Sequence, residues 1–306
     1  MIPKAKTGNT TMNSALLVSR SLALAGVAFF LATLATPAPE GLTQASWHTL
    51  GAGGLMAAFW ISEILPFPVT ALLPLVVFPA AGIAPVEAAA APFSNSVIYL
   101  FLGGFFIALA MESSTLHRRI ALRIIRVVGT GRREIVGGFL AASFFLSMWV
   151  SNTAVAVMML PIAVSVLAMF QHDDDRAFAP ALMLSVAYGA TLGGMSTLVG
   201  TPPNAILAGF LRENHGIEVG FLGWMILAMP VALMLSGAAW FLLTRGTLRL
   251  SRGDLPGGRE ILRRAEEDLG AMSQREKTVA AVFALTAGFW VARGFLEDLE
   301  RKSTRL

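Results

Sequence analysis

Apolar runs close to the length of a membrane-crossing helix recur along this chain. They fall at about 17–36, 47–65, 67–83, 96–115, 178–211, 220–244 and 278–296, each bounded by charge or by Pro/Gly clusters. A spanning helix needs roughly 20 mostly apolar residues, because in hydrocarbon each backbone polar group has to be satisfied within the segment itself. A chain with so many runs cannot cover itself with polar side chains. The expected fold class is an all-α polytopic membrane protein of about seven membrane segments. Composition agrees: 55% of the 306 residues are hydrophobic and 14% charged, with a mean hydropathy of +0.67. Net charge is only +4, and the basic residues cluster between apolar runs, so they report membrane orientation and exclude a nucleic-acid partner. With no cysteine and four scattered histidines, a disulfide, a thiolate metal site and a cysteine nucleophile are excluded, and a zinc cluster is not expected.

Lys and Arg in short loops favour the cytoplasmic side. Residues 1–14 read as a polar tail, and Lys4, Lys6 and Arg20 put the N-terminus inside. The loops 37–46 and 84–95 carry no Lys or Arg and are expected outside, with the Pro66-Phe67-Pro68 turn inside. Arg118, Arg119, Arg123, Arg126, Arg132 and Arg133 mark an inside segment, read as an amphipathic helix in the headgroup region. Arg245, Arg249, Arg252, Arg259, Arg263, Arg264, Arg275 and Lys277 mark a second inside loop, 246–277, mixed with six acidic residues. Two crossings separate that loop from His172-Asp173-Asp174-Asp175-Arg176, which must then also be inside. Residues 134–170 therefore begin and end on one side. They form either two very short spans with a polar turn between them or a re-entrant hairpin with Ser151-Asn152-Thr153 at its tip. The hairpin is favoured, because non-helical backbone at membrane depth persists where protein buries it or a watery cavity solvates it.

A second polar interruption lies within 178–211, at Gly193-Gly194-Met195-Ser196-Thr197-Leu198-Val199-Gly200-Thr201-Pro202-Pro203-Asn204. Two successive prolines remove two backbone donors and constrain the residue before them, so the helix must break. A broken helix frees carbonyls that suit Na+ and N–H groups that suit an anion. Ser147, Ser151, the Asn152 side chain and a carbonyl near Gly200 offer hard oxygens; the Asn152 amide, the Thr153 hydroxyl and N–H groups after the break offer anion donors.

Four stretches in order carry a family resemblance: FWISEILPFPVTALLPLVVFPAAG (59–82), FLGGFFIALAMESSTLHRRIALRII (101–125), SMWVSNTAVAVMMLPIA (147–163) and STLVGTPPNAI (196–206). From about 47 to 298 the chain resembles the divalent anion/sodium symporters, which carry dicarboxylates, citrate and sulfate. The resemblance implies a sodium site at Ser147, Ser151, Asn152 and the Gly200 carbonyl. It implies substrate contacts at Asn152 and Thr153, with Thr201 and Pro202 bordering the pocket. It also implies an inverted-repeat fold, a homodimer through the N-terminal scaffold spans, and Na+ as coupling ion with no prosthetic group.

On this reading the chain divides into a scaffold-like 15–133, a transport-type 134–213 (hairpin 134–170, broken helix 178–211), a span in 214–245, the loop 246–277 and a last span in 278–306. Ser-Asn-Thr and Gly-Thr-Pro-Pro-Asn each occur once where the family pattern has two repeats, so the expectation is the N-terminal two-thirds of a member, lacking the second repeat. The expected function is Na+-coupled transport of small dianions by alternating access, C4-dicarboxylates such as succinate or malate first, in a bacterial inner membrane. The rivals are a transport-inactive remnant or interaction subunit, a proton-coupled or exchanging relative, and sulfate or citrate as substrate. Glu63 and Glu112 near span ends are weak candidates for proton carriage. Ser151 has no base near it in sequence and is not expected to be a nucleophile, so no enzymatic activity is expected. The Asp173–Asp175 run reads as a solvated loop rather than a cation site.

Overall fold

The computed structural model describes residues 8–169, 176–251, 253 and 258–303, and every regular element within them is helical. These residues form two compact units, one up to Asn95 and one from Ser96 onward.

In the first unit α1 (Gly8–Ala35) and α2 (Gln44–Ser62) run antiparallel. Small residues set their closeness: a Cβ on Gly26 would lie 2.5 Å from that of Ala58, and one on Gly51 2.1 Å from Thr33 Oγ1. Helix α1 starts at Gly8, inside the stretch expected as a polar tail. Thr43 caps α2 through Ser46 N (3.1 Å). The run at 67–83 departs from the expected single span. It is jointed into α3 (Phe67–Ala71) and α4 (Pro74–Ala80), because Pro74 lacks an N–H and its ring crowds the preceding turn. A short α5 (Val86–Ala90) and a 3₁₀ turn, Ala91–Ser94, follow.

The second unit contains α6 (Ser96–Ser113), α7 (Leu116–Val128), α8 (Arg132–Ser147), α9 (Asn152–Met169), α10 (Phe178–Met195), α11 (Pro202–His215), α12 (Phe221–Phe241), α13 (Gly258–Glu267) and α14 (Gln274–Ser303). A π turn, Leu242–Gly246, prolongs α12. Among the described residues three segments are each long and apolar enough to cross a bilayer alone: Leu16–Ala35, Phe178–Met195 and Phe221–Gly246. The other expected spans are helical but shorter, jointed or less apolar. Leu227 is 74% and Met234 68% exposed on α12, as lipid-facing side chains should be.

Helix α8 is the centre of this unit. Ile135, Val136, Phe139 and Leu146 pack with Ile125 of α7, Val155 and Met159 of α9, and Ala181 and Leu182 of α10. Glycines on α10 admit α8 closely: a Cβ on Gly189 would sit 2.4 Å from the Leu140 carbonyl oxygen, and one on Gly193 2.1 Å from that of Phe144. Residue numbers rise together along both helices, so α8 and α10 are parallel. The chain must therefore return, between the end of α8 and the start of α10, to the end from which α8 started. His172 to Asp175 themselves lie outside the described residues.

That end gathers both arginine-rich segments. Arg119 of α7 pairs with Glu276 (2.9 Å) and donates to the Leu269 and Gly270 carbonyls. Arg126 pairs with Glu266 at 2.6 Å, and Arg133 donates to the Leu250 carbonyl. The amphipathic α7 buries Leu116, Ala121, Leu122 and Ile125 beneath these arginines.

Candidate functional site

Four residues, Met148 to Val150 and then Ser151, turn the chain from α8 into α9, and the break between α10 and α11 lies directly against this turn. The tip sits well inside the unit: α8 climbs about 24 Å from the arginine-rich end at 1.5 Å per residue.

Ser147 is fully buried at the end of α8, and its hydroxyl donates to Asn152 Oδ1 at 2.8 Å and, more weakly, to the Val150 carbonyl at 3.5 Å. Ser151 is half-buried and caps α9: its Oγ accepts from Ala154 N (3.4 Å) and its carbonyl from Val155 N (3.0 Å). Asn152 and Thr153 occupy the first turn of α9, upstream of that first helical bond, so their N–H groups have no partner within the helix. Asn152 is half-buried and Thr153 exposed. Gly200 is buried against the tip, where a Cβ would be 2.8 Å from the Ser147 carbonyl oxygen and 2.6 Å from that of Gly194. Gly194 faces the Asn152 side chain, 2.0 Å from a hypothetical Cβ to Oδ1. These glycines are obligatory because backbone approaches backbone and side chain more closely than any Cβ permits. The fold thus brings Ser147, Asn152 and Gly200 together, with Ser151 one residue away. Thr201 and Pro202 follow Gly200 at the start of α11, Thr201 half-buried and Pro202 exposed.

One sequence expectation needs correction. The start of α11 is not a source of anion donors, because Pro202 and Pro203 have no N–H and the next amide, Asn204 N, donates to the Thr201 carbonyl (3.2 Å). The carbonyls at the end of α10 are likewise engaged. Asn204 Nδ2 donates to Gly194 O (2.9 Å) and Thr197 O (2.7 Å), and Trp224 Nε1 to Met195 O (3.0 Å). The Ser147 and Gly200 carbonyls take no part in these bonds. Asn204 and Thr197 were missed as site residues; the sequence signal was a lone Asn just after two prolines, a position from which an amide can reach back across the break.

The donor set is neutral oxygen: hydroxyl, amide and carbonyl. Among the described residues no three His, Cys, Asp or Glu side chains gather as a metal site. Neutral hard oxygens of this kind fit a monovalent alkali cation better than a divalent ion, which draws on carboxylates. Beside the tip stands an aromatic wall, with Trp149 stacked on Phe221 (6.0 Å) and edge-on to Phe283 (5.1 Å).

Residues 17–304 match the family model described as the sodium:sulfate symporter transmembrane region. The chain belongs to this family. Its members are transporters and not enzymes, and the chain is an integral membrane protein. A sodium-dependent dicarboxylate transporter, SdcS, of Staphylococcus saprophyticus is 37% identical over 279 residues, covering 89% of this chain and 54% of the relative. The protein of the same name from Staphylococcus aureus strain USA300 is 37% identical over 280 residues with the same coverage of each chain. The chain spans about half the length of these curated relatives.

Proposed function

We propose that the protein is a Na+-coupled carrier of small dianions, with C4-dicarboxylates such as succinate or malate as its substrates. The observation that carries this reading is the meeting of two helix breaks, with the neutral oxygens of Ser147, Asn152 and Gly200 beside the first-turn N–H groups of α9. The names of the similar staphylococcal transporters point to the same ion and substrate class.

In this reading Ser147, Ser151, Asn152 and the Gly200 carbonyl hold Na+. None of them is charged, so the ion brings an uncompensated positive charge into a poorly solvated site, which is unfavourable until an anion joins it. One substrate carboxylate then accepts from Asn152 and Thr153, bordered by Thr201 and Pro202. Asn152 serves both partners, its carbonyl oxygen facing the ion and its amide the anion. Binding order follows: Na+ first, then dianion. Residues 134–213 carry the filled site across the membrane. The arginine-rich end faces the cytoplasm of a bacterial cell, the N-terminus is inside, and two copies associate through the 15–133 spans.

The test uses the purified full chain. Labelled succinate should bind in Na+ but not in choline, and Asn152→Ala should abolish both ²²Na+ and succinate binding. Excess malate should compete better than sulfate or citrate. Succinate binding that is equal in choline, or that survives Asn152→Ala, would overturn the assignment.

A further inference from the structure

The hairpin and the broken helix arrive at the site on separate elements, so something must fix the distance between them. Thr197 is placed to do so. It is fully buried in the α10–α11 turn, and its hydroxyl uses both of its capacities. It donates to the Met148 carbonyl at the hairpin turn (2.5 Å), 49 residues away in sequence, and accepts from Gly200 N at 3.1 Å. Its own carbonyl is held by the Asn204 amide at 2.7 Å. One side chain therefore ties the turn between Ser147, at the end of α8, and Asn152, at the start of α9, to the Gly200 amide. Because Gly200 N is bonded to Thr197, the Val199–Gly200 peptide is fixed from the same hydroxyl, and with it the position from which the Gly200 carbonyl projects.

We infer that Thr197 is a positioning residue for the cation site: it touches no ion, and it sets the spacing between the hairpin tip, with its Ser147 and Asn152 oxygens, and Gly200. The inference rests on the reading of that site as a Na+ site. Alkali-cation binding by neutral oxygens depends on all of them reaching the ion at once, so a loosened spacing weakens affinity before it unfolds the protein. The hydroxyl is the operative group. Thr197→Val keeps the shape and deletes both hydrogen bonds; Thr197→Ser keeps both.

The experiment measures ²²Na+ binding to the purified full chain alongside its thermal unfolding in Na+-free choline buffer. Loss of two buried hydrogen bonds predicts that Thr197→Val weakens Na+ binding about tenfold or more, while Thr197→Ser stays within about threefold of wild type. Thr197→Val also leaves the Met148 carbonyl and the Gly200 N–H unpaired and should lower the unfolding temperature in choline, so Na+ binding is measured well below that temperature, where the variant is folded. Wild-type Na+ affinity in Thr197→Val, or equal loss in Thr197→Ser, would overturn the assignment. Should Thr197→Val fail to fold, Thr197→Cys replaces it, because a thiol fills the space but donates weakly; wild-type affinity there would overturn the inference. Wild-type protein that is folded but binds no Na+ would sink the site reading itself. Binding by wild type and Thr197→Val alike would sink only the role of Thr197.

Discussion

A methyl group at position 193 would lie 2.1 Å from the Phe144 carbonyl oxygen, and no side-chain rotation can relieve a clash with backbone. Gly193→Ala should therefore destabilise the protein by about 1–3 kcal/mol, by prising α8 from α10. Gly53, with nothing within 4 Å of its hypothetical Cβ, provides the contrast. Gly53→Ala, at an exposed position of α2, should be neutral or stabilising by up to about 1 kcal/mol. Thermal unfolding in detergent compares the two. His117 makes a second prediction at this scale. Burial pushes its imidazole below the ordinary 6.5, and its Nδ1–H donates to the Met111 carbonyl at 3.1 Å. The folded state thus prefers the neutral ring. Its contribution is intact above 6.5 and is lost as pH falls below that value; His117→Gln should flatten that part of the stability profile.

At the scale of elements, the start of α14 is a capping box. Ser273 Oγ accepts from Glu276 N (3.2 Å), and Glu276 Oε2 accepts from Ser273 N (2.7 Å). The other carboxylate oxygen takes the Arg119 guanidinium, so the same cap docks α14 onto α7. Arg119 chiefly, with the Ser273 amide, holds this carboxyl down at about 2. A carboxylate with a depressed pKa stabilises the fold fully above its ordinary 4.5 and loses that contribution as pH falls toward 2. Glu276→Gln should lower stability at pH 7 by about 1–2 kcal/mol and remove this acid-dependent loss, as unfolding between pH 2 and 5 would reveal. The element-level lesson is that Arg119 and Arg126 are not only topological signals. They are also structural partners of a loop about 150 residues away, which charge counting along the chain cannot reveal.

For the whole molecule, the absence of native cysteine makes topology directly testable. Helix α12 with its π turn runs 26 residues from Phe221 to Gly246, enough to cross a bilayer. Cysteines at Arg123 and Arg264, both at the arginine-rich end, should label from the cytoplasm alone. One at Ile217, before α12, should label only from outside, and labelling of 217 and 264 from one side would overturn the arrangement.

Much of this was legible in the sequence because each signal is local. Apolar length makes membrane helices, clustered arginine marks one end, and Pro202-Pro203 ends a helix wherever it stands. The sequence alone thus determined the helical membrane class, the two breaks, and Ser147, Asn152 and Gly200 as site candidates. Tertiary structure decided the rest, because the deciding contacts join residues far apart in the chain. It set α8 and α10 parallel through Gly189 and Gly193, divided the 67–83 run, and assigned the carbonyls at the end of α10 to Asn204 and Trp224. It also placed the Thr197 hydroxyl between two breaks 49 residues apart. Which oxygens are engaged and which are left for an ion depends on where every buried donor ends up, and no periodicity in the chain encodes that.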